Sequence, residues 1–367
     1  MKKLSLLLLP LLLLAACKPA EIAELPAAPA AETTAVPEAV PQSAVSNTIS
    51  LDGEYKLTGV INEQVLVTAA NVTLILDNAT IICADDSAIL GDDDDSKNLQ
   101  NLTITLIGNN VINGGKHGIQ GKDNLTITGD GTLEVTAVKD GLHAGDALNF
   151  ESGNVNVLSS FEGVEAAYIN ISGGSLTTHA SDDGVNAAAD EDGVTPSVII
   201  SGGTHFIYSG SDGIDSNGTL DISGGTVAVL INAPRDGETF DADRPGTFLP
   251  ILSFSGNFAA GDTIAVGDFE VTLETAVTSA SLILPGIADG TAYRVLLNGS
   301  DYQEVTASVT VAAGMGAGFG GGGNFPGGGF PQGGQNGRPR GDLANGERPA
   351  RTEGAPPDFA AGEVPQR

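Results

Sequence analysis

"FEGVEAAYINISGGSLTTHASDDGVNAAA", residues 161–189, states one phrase twice: an acid, a glycine, an apolar residue and a polar residue, about twenty positions apart. The phrase recurs as His117-Gly118-Ile119, Asp140-Gly141-Leu142, Glu162-Gly163-Val164, Asp183-Gly184-Val185 and Asp212-Gly213-Ile214, with glycine spacings of 23, 22, 21 and 29. The long last step holds "ADEDGVTP" (189–196), an insertion of about the excess length, as expected of a loop that leaves a repeat and returns. A second track runs in phase: "LTITGDGTLEV", "LNFESGNVNV", "INISGGSLTT", "VIISGGTHFI" and "LDISGGTVAV". Each is a short alternating strand, a glycine-containing turn and another short strand.

A repeat of 21 to 23 residues with three short strands and no helical periodicity predicts one coil of a right-handed parallel β-helix, an all-β solenoid. Leucine-rich repeats have similar length but need a Leu/Asn signature that is absent. One coil cannot close a core alone, so coils stack about 4.8 Å apart and equivalent side chains form ladders. "NVTLILDNATIICADDSAIL" and "NLTITLIGNNVINGG" read as less regular opening coils, with "DDDD" (92–95) on a loop. After Pro250 the coil phrase disappears, and "FEVTLETAVTSASLILPG" and "AYRVLLNG" alternate like antiparallel strands. The β-helix is therefore expected over 47–250, and a small β cap module packed on its end over 251–312.

The chain has 367 residues, 46 acidic against 16 basic, a formal charge of −30 and a pI near 4.1, which argues against a nucleic-acid partner or an anionic membrane surface. "MKKLSLLLLPLLLLAAC" (1–17) has a positive start, an apolar run and a small-residue cleavage site, the pattern of an export signal. Residues 18–46 combine Pro, Ala and Glu without apolar periodicity and read as an extended linker. Residues 313–367 are Gly-rich and cannot bury enough apolar area to offset chain entropy, so a disordered tail is expected.

Stacking turns a sequence repeat into a column. Asp140, Glu162, Asp183 and Asp212 become neighbours along one edge, and Gln120, His143, Glu165, Asn186 and Asp215 form a parallel row. Two like charges about 4.8 Å apart repel by about 3 to 4 kcal/mol at an effective dielectric of 20. Either the carboxylates splay into water or cations sit between them. Ca²⁺ takes six to eight oxygens at about 2.3–2.6 Å, so it suits carboxylates one coil apart. The expected ligands are Asp140, Glu162, Glu165, Asp182, Asp183, Asp212 and Asp215, with Asp182 beside Asp183, and Asp215 beside Asn186, foremost.

Other stretches carry weaker signals. "GDDDDS" (91–96) reads as a further cation loop or a solubilising turn. His117, His143, His179 and His205 show no zinc-ligand spacing; His143 alone is expected near the acidic edge, and the others are expected as strand or turn residues without chemistry. Cys83 is expected as a small buried strand residue.

Two resemblances add to this reading. Leu14-Ala15-Ala16-Cys17 resembles the bacterial lipobox, which implies cleavage before Cys17, lipidation of that residue and a protein tethered to the cell envelope. Lys18, in place of the usual retention Asp, then favours the outer membrane of a Gram-negative host, and Cys83 is left without a disulfide partner. "VTLILDNATIICADDSAI", "SDGIDSNGTLDISGGTVAV", "ETFDADRPG", "AAGDTIAV…DGTAYRVLLNG" and the Gly-rich tail, over about 50–330, resemble the bacterial calcium-binding carbohydrate-binding domain with a pectate-lyase-like β-helix. That resemblance implies calcium-mediated binding of plant-type or acidic polysaccharide without a settled catalytic role. It reaches only Asp140, Glu162, Asp183, Asp212 and Asp215 among the site residues. The chain departs from the pattern after "ETFDADRPGTF", where "LPILSFSG" replaces a further Gly-Gly coil and leaves Asp241 and Asp243 outside the expected set.

Three functions compete. A surface lipoprotein could grip an acidic polysaccharide through calcium, a cation bridging two carboxylates that otherwise repel. Stacking on cellulose is less favoured, because there is no Trp and Tyr168 and Tyr208 fall at different points of their coils. A lyase or hydrolase of pectin would need a cationic base near calcium, for which Lys139 and Arg235 are the candidates, although charge balance accounts for both. "SDDG" (181–184) resembles the paired aspartates of polygalacturonases, but "HG" (117–118) precedes it, no Arg-x-Lys triplet follows, and the repeat itself explains it. The third function is a structural or adhesive fibre that displays loops. The expectation is a non-catalytic polysaccharide binder.

Overall fold

The computed structural model describes residues 47–91, 99–189, 193–233, 237–244 and 246–309. The signal peptide with Cys17, the 18–46 linker, the acidic stretch 92–95, Arg235 and the tail from 313 lie outside the described residues. The described part is a β-solenoid of about eight turns followed by antiparallel strands.

One coil shows why. Alternating "NLTITG" makes the strand Asn124–Gly129, a glycine turn leads to Thr132–Ala137, and the short strand Leu142–Ala144 closes the coil. In each strand the even or odd set faces inward, the period-2 consequence of a pleated backbone. The next coil repeats the plan with Ala147–Phe150, Asn154–Ser160 and Val164–Ala166, paired in parallel with the first and in register except for a one-residue bulge after Val157. Leu102, Leu125, Leu148, Ile169, Val198 and Leu220 thereby form one interior ladder. All six are at most 1% exposed, and each such side chain contributes about 1.5–3 kcal/mol on burial. The insertion after Val185–Ala187 leaves this register intact, since Tyr168 pairs with Ser197 as the coil resumes. Cys83 is a free, half-buried strand residue against this core.

The glycine after each acid is required by close approach and has no positive φ. A Cβ on Gly163 would collide with the Gly184 carbonyl oxygen and lie 2.8 Å from Thr178 Cβ; one on Gly184 would collide with Ile207 and lie 2.7 Å from the Gly213 carbonyl oxygen. Backbone of successive coils touches at this corner. The "SGG" turns use glycine differently: Gly174, Gly203 and Gly225 have φ of 69°, 89° and 89°, in the left-handed region.

The segment after the solenoid adds antiparallel strands to its last coil. Val277–Ile283 pairs antiparallel with the last long parallel strand, Thr226–Ile231, and Ile251–Phe258 pairs antiparallel with it in turn. A separate four-stranded antiparallel sheet, Thr263–Val266, Phe269–Thr272, Ala292–Leu297 and Ser300–Thr306, completes the module. Its core includes Tyr208, Ala228 and Leu230 of the solenoid, so the module also covers an outer face of the last coils. Those positions are apolar because they are covered, which the coil pattern alone does not announce.

Gly163→Ala is expected to destabilise the fold by about 1–3 kcal/mol through overpacking, read as a lower urea midpoint at constant slope. An unchanged midpoint would mean that the corner has room to spare.

Candidate metal-binding edge

The corner glycines position the candidate site. Gly118 N–H donates to the Asp140 carbonyl at 3.0 Å, Gly141 to Glu162 at 3.0 Å, Gly163 to Asp183 at 3.0 Å, Gly184 to Asp212 at 3.0 Å and Gly213 to Glu238 at 2.8 Å. His117, Asp140, Glu162, Asp183, Asp212 and Glu238 therefore occupy one column. The short strands add a second row in strict register: Leu90, Gln120, His143, Glu165, Asn186, Asp215 and Asp241.

From Glu162 onward the column is a chain of carboxylates, each tied to the next coil. Glu162 Oε2 accepts the Asp183 N–H at 3.0 Å, Asp183 Oδ1 accepts the Asp212 N–H at 2.9 Å, and Asp212 Oδ1 accepts the Glu238 N–H at 2.6 Å. Glu162 and Asp183 are only 6% and 8% exposed. Burial, with the charges of Asp183, Asp182 and Glu165, pushes the Glu162 carboxyl up to about 9. Burial raises Asp183 to about 6, backbone hydrogen bonding from Asp212 opposing it and the charges of Asp182 and Asp212 adding to it. Asp215 is raised to about 7 by burial and by Asp183, Asp241, Asp212 and Asp243. Burial also raises Asp212 and Glu238. Beside Glu162, Asn186 Nδ2 donates to Glu162 Oε1 at 3.4 Å, while Asn186 Oδ1 is buried and makes no hydrogen bond.

This donor set fits a hard cation. It consists of oxygens, it carries excess negative charge out of water, and it holds an amide oxygen with nothing to accept from.

Asp140 departs from the carboxylate chain. Its Oδ2 lies 2.8 Å from His143 Nδ1 and 2.9 Å from His117 Nδ1. Burial alone would raise this carboxyl, but hydrogen bonds from His117 and His143 outweigh it and hold it at about 2. Burial lowers the His117 imidazole. Among the described residues, His117, Asp140 and His143 are the one group of three whose ligand atoms all lie within 4.8 Å of one another. His117 is thus no inert turn residue: histidine spacing hides the pair, and only subtraction of the repeat length brings the two together. His179 stacks on Tyr208 at 4.6 Å and meets Glu274 at 3.1 Å, and His205 is a core residue bonded to the Gly202 carbonyl at 2.7 Å.

Glu238 and Asp241 extend the edge by one coil beyond the sequence expectation. Asp241 pairs with Asp215 although "LPILSFSG" follows. Glu238-Thr239-Phe240-Asp241 is the repeat phrase with Thr in the glycine position, the signal that could have found it.

Lys139 is exposed and precedes Asp140. The Phe161 N–H donates to its carbonyl at 2.6 Å, and the Asp182 N–H to the Phe161 carbonyl at 3.0 Å, so Lys139, Phe161 and Asp182 run alongside the acidic column. Phe161 is 41% exposed, and Tyr168, just past the short strand of the same coil, is 39% exposed. Tyr208, by contrast, is buried beneath the cap module.

No curated protein matches this chain. Among solved structures, the polysaccharide lyase-like protein from C. thermocellum, as a gadolinium derivative, is similar at 24% sequence identity and a TM-score of 0.49, over 55% of this chain and 88% of that one. The carbohydrate-binding domain-containing protein family matches residues 44–247, more than half of the chain, and the chain belongs to that family.

Proposed function

We propose that this protein binds acidic, pectin-like polysaccharide through calcium held on the carboxylate edge, without catalysing its cleavage, while anchored by a lipid on Cys17 to the outer membrane. Family membership supports a polysaccharide ligand. The observation that carries the calcium part is the run of buried Glu162 and Asp183 and half-buried Asp212 and Asp215, whose mutual repulsion the fold leaves for a cation to offset. These four, with Glu165 and Asp182 at its outer side, would hold the ion. Calcium would supply a positive centre that a uronate carboxylate can share with them, which lets a polyanion approach a protein of charge −30. Phe161 would offer an apolar face to a sugar ring beside that centre.

Without calcium the edge should make stability fall with pH. The folded-state values of Glu162, Asp183 and Asp215 are raised above their ordinary values of 4.5, 3.8 and 3.8, so the native state holds protons that the unfolded chain releases. Unfolding is then favoured progressively as pH rises from about 4 towards 9. In chelator the melting temperature should fall across that window; excess Ca²⁺ should flatten the fall, and Asp183→Asn should shrink the calcium-dependent gain. Equal melting temperatures with Ca²⁺ and with chelator would remove the calcium argument.

Retention on polygalacturonate should require Ca²⁺ and exceed retention on cellulose, with no unsaturated product absorbing in the same tubes. Product formation would make the protein a lyase, and no retention on either polymer would leave a structural role. Phe161→Ala should weaken polygalacturonate binding about two- to tenfold, matching about 0.5–1.5 kcal/mol for one aromatic face, at unchanged calcium response. An unaltered affinity would take Phe161 out of the binding surface.

A further inference from the structure

The geometry points to a second, chemically distinct metal site at the opening end of the same edge: a transition-metal centre in which His117 Nδ1, His143 Nδ1 and Asp140 Oδ2 bind one borderline divalent ion of the Zn²⁺ type. Both imidazoles aim the same ring nitrogen at one carboxylate oxygen, at 2.9 and 2.8 Å, and their rings lie 4.7 Å apart at 39°. His143 Nδ1 makes a directional hydrogen bond to Asp140 Oδ2, and the buried His117 Nδ1 meets the same oxygen at 2.9 Å. Two ring nitrogens brought to one carboxylate oxygen, one of them on a residue only 5% exposed, form a compact cluster of three ligand atoms.

The donor set decides the ion. Two imidazole nitrogens and one carboxylate oxygen suit zinc and its neighbours in the first transition row and do not suit calcium, which takes oxygens. Zinc binds nitrogen at about 2.0–2.1 Å and carboxylate oxygen at about 2.0–2.2 Å. Atoms gathered within 4.8 Å meet that requirement with small side-chain movements.

The placement follows from the ladder. His117 stands in the acidic column one coil before Asp140, and His143 stands in the second row on Asp140's own coil, between Gln120 and Glu165. Column and row that carry oxygen donors from Glu162 onward thus carry nitrogen donors at their start. The second row places Glu165, on the calcium side, one coil further on. The short strands and corner glycines fix all three ligands, so the site is preorganised by the same contacts that build the solenoid. It stands independently of the calcium reading, because neither its ligands nor its ion are shared with the run from Glu162 to Asp215.

The test uses the full chain, purified without a histidine tag and stripped of metal, and titrated with Zn²⁺ alone in the presence of millimolar Ca²⁺. One Zn²⁺ per chain should bind and raise the melting temperature, and Co²⁺ in its place should develop visible absorption bands of nitrogen- and oxygen-ligated cobalt. His143→Gln, which keeps the volume of a half-buried side chain, should weaken Zn²⁺ binding at least tenfold and abolish the cobalt bands; Asp183→Asn should leave both unchanged. Circular dichroism of the variants confirms that they are folded, and His143→Ala serves in place of His143→Gln should the latter not fold. No uptake by the wild type, or uptake equal in wild type and the folded His143 variant, overturns the site. Displacement of Zn²⁺ by millimolar Ca²⁺ overturns its assignment to a transition metal.

Discussion

The corner at which successive coils touch backbone to backbone governs everything else. At Gly163 and Gly184 there is no volume for a methyl group, so the chain passes through one tight point per coil. The residue before that point and the residue two positions after it are then placed in the same outward attitude each time. The candidate ligand side chains are therefore carried on the most constrained part of the repeat, which is the reverse of the usual arrangement, where a scaffold is rigid and a loop bears the chemistry.

That constraint sets a tension between stability and function. Interior ladders of Leu, Ile and Val favour stacking, while the outer column brings Glu162, Asp183 and Asp212 into mutual repulsion. The fold relieves part of it by giving one oxygen of each carboxylate the backbone N–H of the next coil. The repulsion that remains shows in the raised carboxyl values of Glu162 and Asp183.

Much of this was legible in the sequence because a solenoid is nearly one-dimensional: the phrase spacing gives the coil length, and the coil length gives which residues become neighbours. Glu165, Asn186 and Asp215 are consecutive in the second row for that reason. What escaped has physical causes. His117 and His143 are 26 positions apart, a spacing that means nothing until one coil is subtracted. Glu238 and Asp241 were obscured because Thr239 stands where glycine should be. The cap module's grip on Tyr208, Ala228 and Leu230 depends on three-dimensional packing of a segment with no repeat of its own, which no periodicity reports.

The strand Val277–Ile283 runs opposite to the coil it borders. A stack of identical coils has no internal reason to stop, and its final strand would offer open amide and carbonyl groups in the polarity that another copy's first coil could continue. Reversing direction at that boundary gives Thr226–Ile231 an antiparallel neighbour in place of the next parallel coil, so on that face the stack carries its own terminus.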